Sequence, residues 1–149
     1  MQRRSIGRDG AERLGAIHLF SGLSEGQRQM LARLIDEVSA DAGEELMREG
    51  EYGYEVLFVE EGSAEVTQGG TPINTVVAGE LIGELAVLDA GGTRTATVLA
   101  STPLRAVSLT SHFMHDVRRR MPEIAQAIER AAAEHRERDR LRAAGEPQG

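Results

Sequence analysis

Between Glu37 and Leu109 the chain is cut into short runs by glycines at positions 43, 50, 53, 62, 69, 70 and 79. Runs this short suit β-strands better than helices, and a long series of them points to a jelly roll or barrel. Val56-Leu57-Phe58-Val59 and Ala64-Glu65-Val66-Thr67 flank Glu60-Glu61-Gly62, which predicts a hairpin. Val66-Thr67 and Ile73 to Val77 flank Gly69-Gly70, which predicts the next one. Leu104 to Leu109 closes the series.

The flanks read differently. Ala11 to Phe20 has helical spacing, with Leu14, Ile17 and His18 as inward positions. Ser24 with Gln27 three residues on makes a capping box. Met30, Leu31, Leu34, Ile35 and Val38 then recur at helical intervals. After Leu109, Thr110 or Ser111 can cap a helix holding Phe113, Met114 and Val117. Its last turn carries Arg118-Arg119-Arg120, where cations suit the helix dipole. Pro122 opens a final helix with an apolar start at Ile124, Ala127, Ile128 and Ala131 and a charged end. The organisation expected is a flexible arm over 1–10, N-terminal helices over 11–36, a jelly-roll β-barrel over 37–109, C-terminal helices over 110–143 and a tail over 144–149. The fold class is mainly β with flanking helices.

Chemistry concentrates in 79–98. Leu81-Ile82 meets Gly83, Glu84 to Leu88 is long enough for about one helical turn, and Asp89 to Thr93 loops to a lone Arg94. A strand pattern follows, with Thr95, Thr97 and Leu99 on one face and Ala96, Val98 and Ala100 on the other. A helix starting at Gly83 would leave its first N–H groups unpaired, a natural anion site. Arg94 can clamp a phosphate through two parallel hydrogen bonds, and Thr95 adds a hydroxyl. Glu84 would repel a phosphate alone but suits a ligand that also carries a sugar hydroxyl. A nucleotide unites the two.

At these residues the chain resembles the cyclic nucleotide-binding domain family. The family's phosphate-binding cassette stands here as Ile82-Gly83-Glu84-Leu85-Ala86-Val87, a loop, and Arg94-Thr95-Ala96-Thr97-Val98. The resemblance covers roughly Leu19 to Ile128. It implies that Arg94 binds the cyclic phosphate and Glu84 the ribose 2′-hydroxyl. Backbone amides at Gly83, Leu85, Ala86 and Thr95 would complete the site. Ile82 stands where an aromatic is usual, which concerns packing. The loop before Arg94 is similar to the longer form in bacterial catabolite-activator-like proteins. The resemblance implies a regulatory module, with cyclic AMP or cyclic GMP as ligand, an unnamed effector protein as partner, and a C-terminal helix that acts as a lid or pairs two subunits. Glu134, His135 and Arg136 are lid residues by position. The alternative is a degenerate barrel in which Arg94 and Glu84 pair with each other and no nucleotide binds.

Composition narrows the classes. Among 149 residues there is no cysteine, and all 17 basic residues are arginine against 24 acidic ones, for a formal charge of −7. Disulfides, thiolate metal sites and lysine chemistry are excluded, and nonspecific nucleic-acid binding is disfavoured. No apolar run approaches a membrane span, no signal peptide is expected, and a cytoplasmic location is the default. A catabolite-activator-like DNA-binding domain is not expected after the barrel, and the expected state is a monomer or a homodimer through the last helix. Lysine-free, alanine- and glycine-rich composition suggests a GC-rich bacterial genome, which places cyclic AMP ahead of cyclic GMP. Gly22-Leu23-Ser24-Glu25-Gly26 matches a nucleophile elbow, but that motif needs a preceding strand, and a helix cap is the better reading. His112, His115 and Asp116 read as surface residues rather than a metal site. No catalytic constellation, metal or cofactor is expected.

Overall fold

The computed structural model describes residues 1–6, 9–17, 20, 22–83, 92–127, 129–130 and 133–134. Among the described residues nine strands form two antiparallel sheets: β1 (Gln2–Ser5), β2 (Asp36–Ala40), β3 (Glu45–Met47), β4 (Glu55–Glu61), β5 (Ser63–Gln68), β6 (Thr71–Val77), β7 (Leu81–Ile82), β8 (Thr97–Ala100) and β9 (Leu104–Thr110). One sheet runs β1-β2-β9-β4-β7 and the other β3-β8-β5-β6. This is the jelly roll expected from the punctuated runs.

Strand parity explains the packing, because successive side chains point to opposite faces. Val38, Leu57, Val59, Ile82, Leu104 and Ala106 meet Met47, Ala64, Val76, Val98 and Ala100 between the sheets. The other face of the five-stranded sheet offers Val56, Leu81, Val107 and Leu109 to the helices. Helix α1 (Asp9–Ala16), α2 (Glu25–Ala32) and α3 (Ser111–Arg120) cover it with Leu14, Leu31, Phe113, Met114 and Val117. Strands β4 and β9 are therefore buried on both faces, which is why apolar residues stand side by side in Val56-Leu57-Phe58-Val59 and Ala106-Val107 instead of alternating with polar ones. Each such side chain fully withdrawn from water contributes roughly 1.5–3 kcal/mol.

Five local expectations change. Residues 1–10 do not form a wholly flexible arm: Gln2–Ser5 pair with β2 in register, Arg3 opposite Val38 and Arg4 opposite Glu37. An edge strand can be held by backbone bonds and guanidinium pairs, so low apolar content was no guide. Strands β4 and β5 do not form a hairpin. They lie in different sheets, and the chain crosses between them at Gly62, where φ is +91°. A Cβ there would overlap the Pro103 carbonyl, so glycine is required by both backbone and space. Alternation along each strand is the same whether two runs pair or pass from sheet to sheet, so sequence spacing could not tell them apart. The helix expected to reach Phe20 ends at Ala16 and continues as tight turns, Ile17 N–H to the Leu14 carbonyl at 3.1 Å and Phe20 N–H to the Ile17 carbonyl at 2.9 Å. Met30, read as inward, is exposed, and Val38 belongs to β2 rather than to the helix before it.

Other features follow the reading. Gly69 and Gly70 both have positive φ in the two-residue turn between Gln68 and Thr71, as a twisted hairpin turn demands. Ser24 Oγ accepts from the Gln27 N–H at 3.2 Å while Gln27 Oε1 accepts from the Ser24 N–H at 2.9 Å, a complete capping box. The Thr110 hydroxyl caps α3 through the Phe113 N–H at 3.0 Å. His112 lies 3.6 Å from Asp116 on the same exposed helix turn. Residues 122–127 are helical again, as are 133–134, and Glu134 is exposed. His18, His135 and Arg136 lie outside the described residues. No helix among the described residues is long and apolar enough to cross a membrane.

On the helix-facing side of the sheet, a charge network ties α1 and β1 to the strands. Arg13 of α1 bonds Glu60 at 2.6 Å and lies 3.4 Å from Glu37, which also receives Arg4 at 2.9 Å. Arg105 bonds Glu61 at 2.6 Å. Burial alone would raise the Glu37 carboxyl, but bonds from Arg4 and Arg13 outweigh it and hold the group below its ordinary value of 4.5. A carboxyl lowered on folding contributes stability above its unfolded value and loses it as pH falls through the folded one. Glu37→Gln should therefore cost about 1.5–3 kcal/mol at pH 7, the range for hydrogen bonds to charged groups. The gap from the parent should shrink in acid, well below the ordinary carboxyl value. Urea denaturation at both pH values checks this, and a gap independent of pH would refute it.

Candidate phosphate-binding site

The site is built where β7 ends and the chain returns toward β8. Gly83 follows β7 with φ of +84°, a conformation that favours glycine. A Cβ on it would overlap the Arg94 guanidinium and come within 2.8 Å of Met47 Cε. Backbone and packing thus demand the same residue. Gly83 meets Arg94 directly: Arg94 Nη1 donates to the Gly83 carbonyl at 3.0 Å. Nη2 donates to the Glu55 carbonyl at 2.7 Å, a wholly buried bond. One carbonyl from the start of β4 and one from the residue just after β7 therefore orient the guanidinium plane.

The backbone of Arg94 is anchored as firmly. Its N–H donates to the Glu51 carbonyl at 2.7 Å, and its own carbonyl accepts from the Gly50 N–H at 2.9 Å. Gly53 N–H reaches the Gly92 carbonyl at 3.2 Å, and Tyr52 bridges Thr93. These bonds lay 92–94 against 50–53 and drive the Arg94 side chain inward, where it is only 7% exposed. Thr95 is exposed next to it, with its carbonyl accepting from Gln68 Nε2 at 3.2 Å. The regular strand begins at Thr97, two residues after the alternation starts, and Val98 and Ala100 face the core as read.

Of the site residues expected from sequence, Gly83 and Arg94 are brought together and Thr95 lies on the adjoining surface. Glu84, Leu85 and Ala86, with the helical turn expected after Gly83, lie outside the described residues. Sequence reasoning missed Glu55. It is 3% exposed, its carbonyl holds Arg94, and its carboxylate receives Arg3 Nη2 at 2.8 Å and the Ser108 hydroxyl. The available signal was a carboxylate opening the otherwise apolar run Val56-Leu57-Phe58-Val59. The bond to Glu55 raises the Arg3 guanidinium above its ordinary value, against a smaller opposing effect of burial. Among the described residues no group of three or more His, Asp or Glu is placed to hold a metal ion.

Residues 37–120 match the cyclic nucleotide-binding domain family. The chain belongs to that family. It is 31% identical over 123 residues to a cyclic nucleotide-gated potassium channel of Rhizobium etli, covering 83% of this chain and 34% of the channel. It is 34% identical over 93 residues to a cAMP-dependent protein kinase regulatory subunit of Schizosaccharomyces pombe, covering 62% of this chain and 22% of that subunit. The chain thus spans about a third or less of these relatives' lengths. A cyclic nucleotide-binding domain from Methylobacillus flagellatus has the same fold, with a TM-score of 0.75 at 22% identity over 95% of this chain and 84% of that one.

Within this domain Gly83 can be tested against Gly79, whose φ is +94° but whose Cβ position is open. Alanine at either should cost about 1–3 kcal/mol from backbone strain. Gly83→Ala should cost more, because it also displaces Arg94 or Met47. Urea denaturation of both variants reads the difference, and equal losses would show that Gly83 is needed for its backbone alone.

Proposed function

We propose that this domain is a non-catalytic sensor of a cyclic nucleotide, cyclic AMP ahead of cyclic GMP. The observation that carries the reading is Arg94, held by the Gly83 and Glu55 carbonyls at the glycine corner where the family places its phosphate site. In this reading the guanidinium binds the cyclic phosphate, and the Glu84 carboxylate takes the ribose 2′-hydroxyl. Amides of Gly83, Leu85, Ala86 and Thr95 complete the cradle. Thr95 is exposed, so its hydroxyl can serve the phosphate or reach a base. One neutral hydroxyl bond is worth about 0.5–1.5 kcal/mol, enough for roughly tenfold discrimination. The name of the kinase regulatory subunit among the relatives favours cyclic AMP.

The ligand is the only small molecule the function requires. Binding would order the cassette and shift the helix that begins at residue 122, a population shift set by differential affinity for two states. That helix would pass the signal to an effector protein or to a second subunit, in a cytoplasmic setting. Calorimetric titration with both cyclic nucleotides is the test. A protein that binds neither would be a barrel kept for structural or protein-interaction purposes.

Arg94→Ala should weaken binding by about 2–5 kcal/mol, the cost of removing one partner of a buried hydrogen-bonded charge pair. An affinity unchanged within a few-fold would remove the phosphate-clamp role. The parent should also bind a 2′-deoxy analogue worse than the natural ligand, and Glu84→Gln should narrow that difference. Indifference of the parent to the 2′-hydroxyl would sink the role of Glu84.

A further inference from the structure

Glu55 joins two parts of the molecule that are otherwise apart. Its carbonyl fixes Arg94 Nη2 at 2.7 Å. Its carboxylate lies toward the barrel interior, where one oxygen receives Arg3 Nη2 at 2.8 Å and the other the Ser108 hydroxyl. Arg3 belongs to β1, an edge strand of the five-stranded sheet, whose residues are exposed and which among the described strands pairs with β2 alone. Resting on the nucleotide-binding reading above, we propose that Arg3 is a positioning residue for the phosphate site, acting through Glu55, and that β1 is thermodynamically linked to nucleotide binding.

The physical argument is the cost of an uncompensated buried carboxylate. Edge elements with few buried contacts are the first to open. When β1 opens, Arg3 leaves and Glu55 keeps only a hydroxyl partner in a site that is 3% exposed. Removing one member of a buried ion pair is strongly unfavourable, so the remaining carboxylate turns toward water. Glu55 is the first residue of β4, and its rotation moves the carbonyl that sets the Arg94 plane. A misdirected guanidinium binds phosphate less well. Reciprocity then requires that a ligand favouring the ordered Arg94 also favours the closed β1. Arg4 offers an internal contrast. It points to the opposite face of β1, pairs with Glu37 and is 79% exposed, and Glu37 retains Arg13 nearby.

The experiment is calorimetric titration of the full chain with cyclic AMP and cyclic GMP, using Arg3→Ala, Arg3→Lys and Arg4→Ala, with circular dichroism to establish folding. Arg3→Ala should bind the preferred nucleotide about tenfold more weakly, within the 5–150-fold range typical of coupled sites. Arg3→Lys should restore most of the affinity, which also covers a poorly folded alanine variant. Arg4→Ala should change it by less than about twofold, since exposed pairs contribute little. Hydrogen exchange gives the reciprocal readout: saturating nucleotide should slow exchange of the amides of Gln2–Ser5 in the parent and not in Arg3→Ala. Parent and Arg3→Ala with equal affinity, equal losses for Arg3→Ala and Arg4→Ala, or β1 exchange indifferent to ligand would each overturn the linkage while leaving the nucleotide reading intact. A parent that binds neither nucleotide would overturn that reading, and the linkage with it.

Discussion

The inward guanidinium of Arg94 is the constraint around which the barrel closes. A cation taken out of water is costly unless its donors meet acceptors. Among the described residues the acceptors include the backbone carbonyls of Gly83 and Glu55, which no one local segment can supply. They exist only when β7 lies beside β4 and the 92–94 segment folds back along 50–53. Burial of Arg94 therefore presupposes correct topology over most of the barrel. Loop and strand are then specified together, and the charged group ends in a fixed orientation rather than on a mobile stalk.

The five-stranded sheet carries a second burden. It faces the other sheet through Leu57, Val59 and Ala106 and the helices through Val56, Val107 and Leu109. A shift of β4 is felt on both faces, because interiors packed at crystal-like density do not absorb displacement locally. Glu55 sits at the start of that strand, so whatever holds its carboxylate also steadies the carbonyl that orients Arg94. Helix α3 is joined to the same frame: the Ser111 N–H donates to the Tyr54 carbonyl at 2.8 Å, one residue before Glu55.

Local patterns were legible in the sequence, and long-range pairings were not. The Ser24 cap, the Gly69-Gly70 turn and the alternation through Val98 and Ala100 depend on neighbours within a few residues, and each appears in the structure. That Arg94 returns beside Gly83 was legible from two motifs at set spacing, whereas its bonds to the Gly83 and Glu55 carbonyls were not. The β1 strand, the crossing at Gly62 and the role of Glu55 depend on partners 33 to 53 residues away, such as Glu37 for Arg4 and Ser108 for Glu55. Periodicity contains no information about such partners. A lone carboxylate at the head of an apolar strand was the nearest thing to a warning, since it must find a cation or a donor once buried.

The lack of lysine has a structural meaning beyond its compositional one. Arg94 reaches two carbonyls at once, and Arg13 reaches both Glu60 and Glu37. Arg94 uses separate nitrogens of one planar fork, and Arg13 gives both hydrogen bonds from Nη2 with Nη1 lying 3.4 Å from Glu37, geometries an ammonium on a flexible stem does not hold. The same property has a cost: Nε of Arg13 and Nε of Arg105 are buried without a hydrogen-bond partner. A guanidinium held in its plane in this way, as Arg94 is, would lose less freedom on meeting a ligand than one on a free stem.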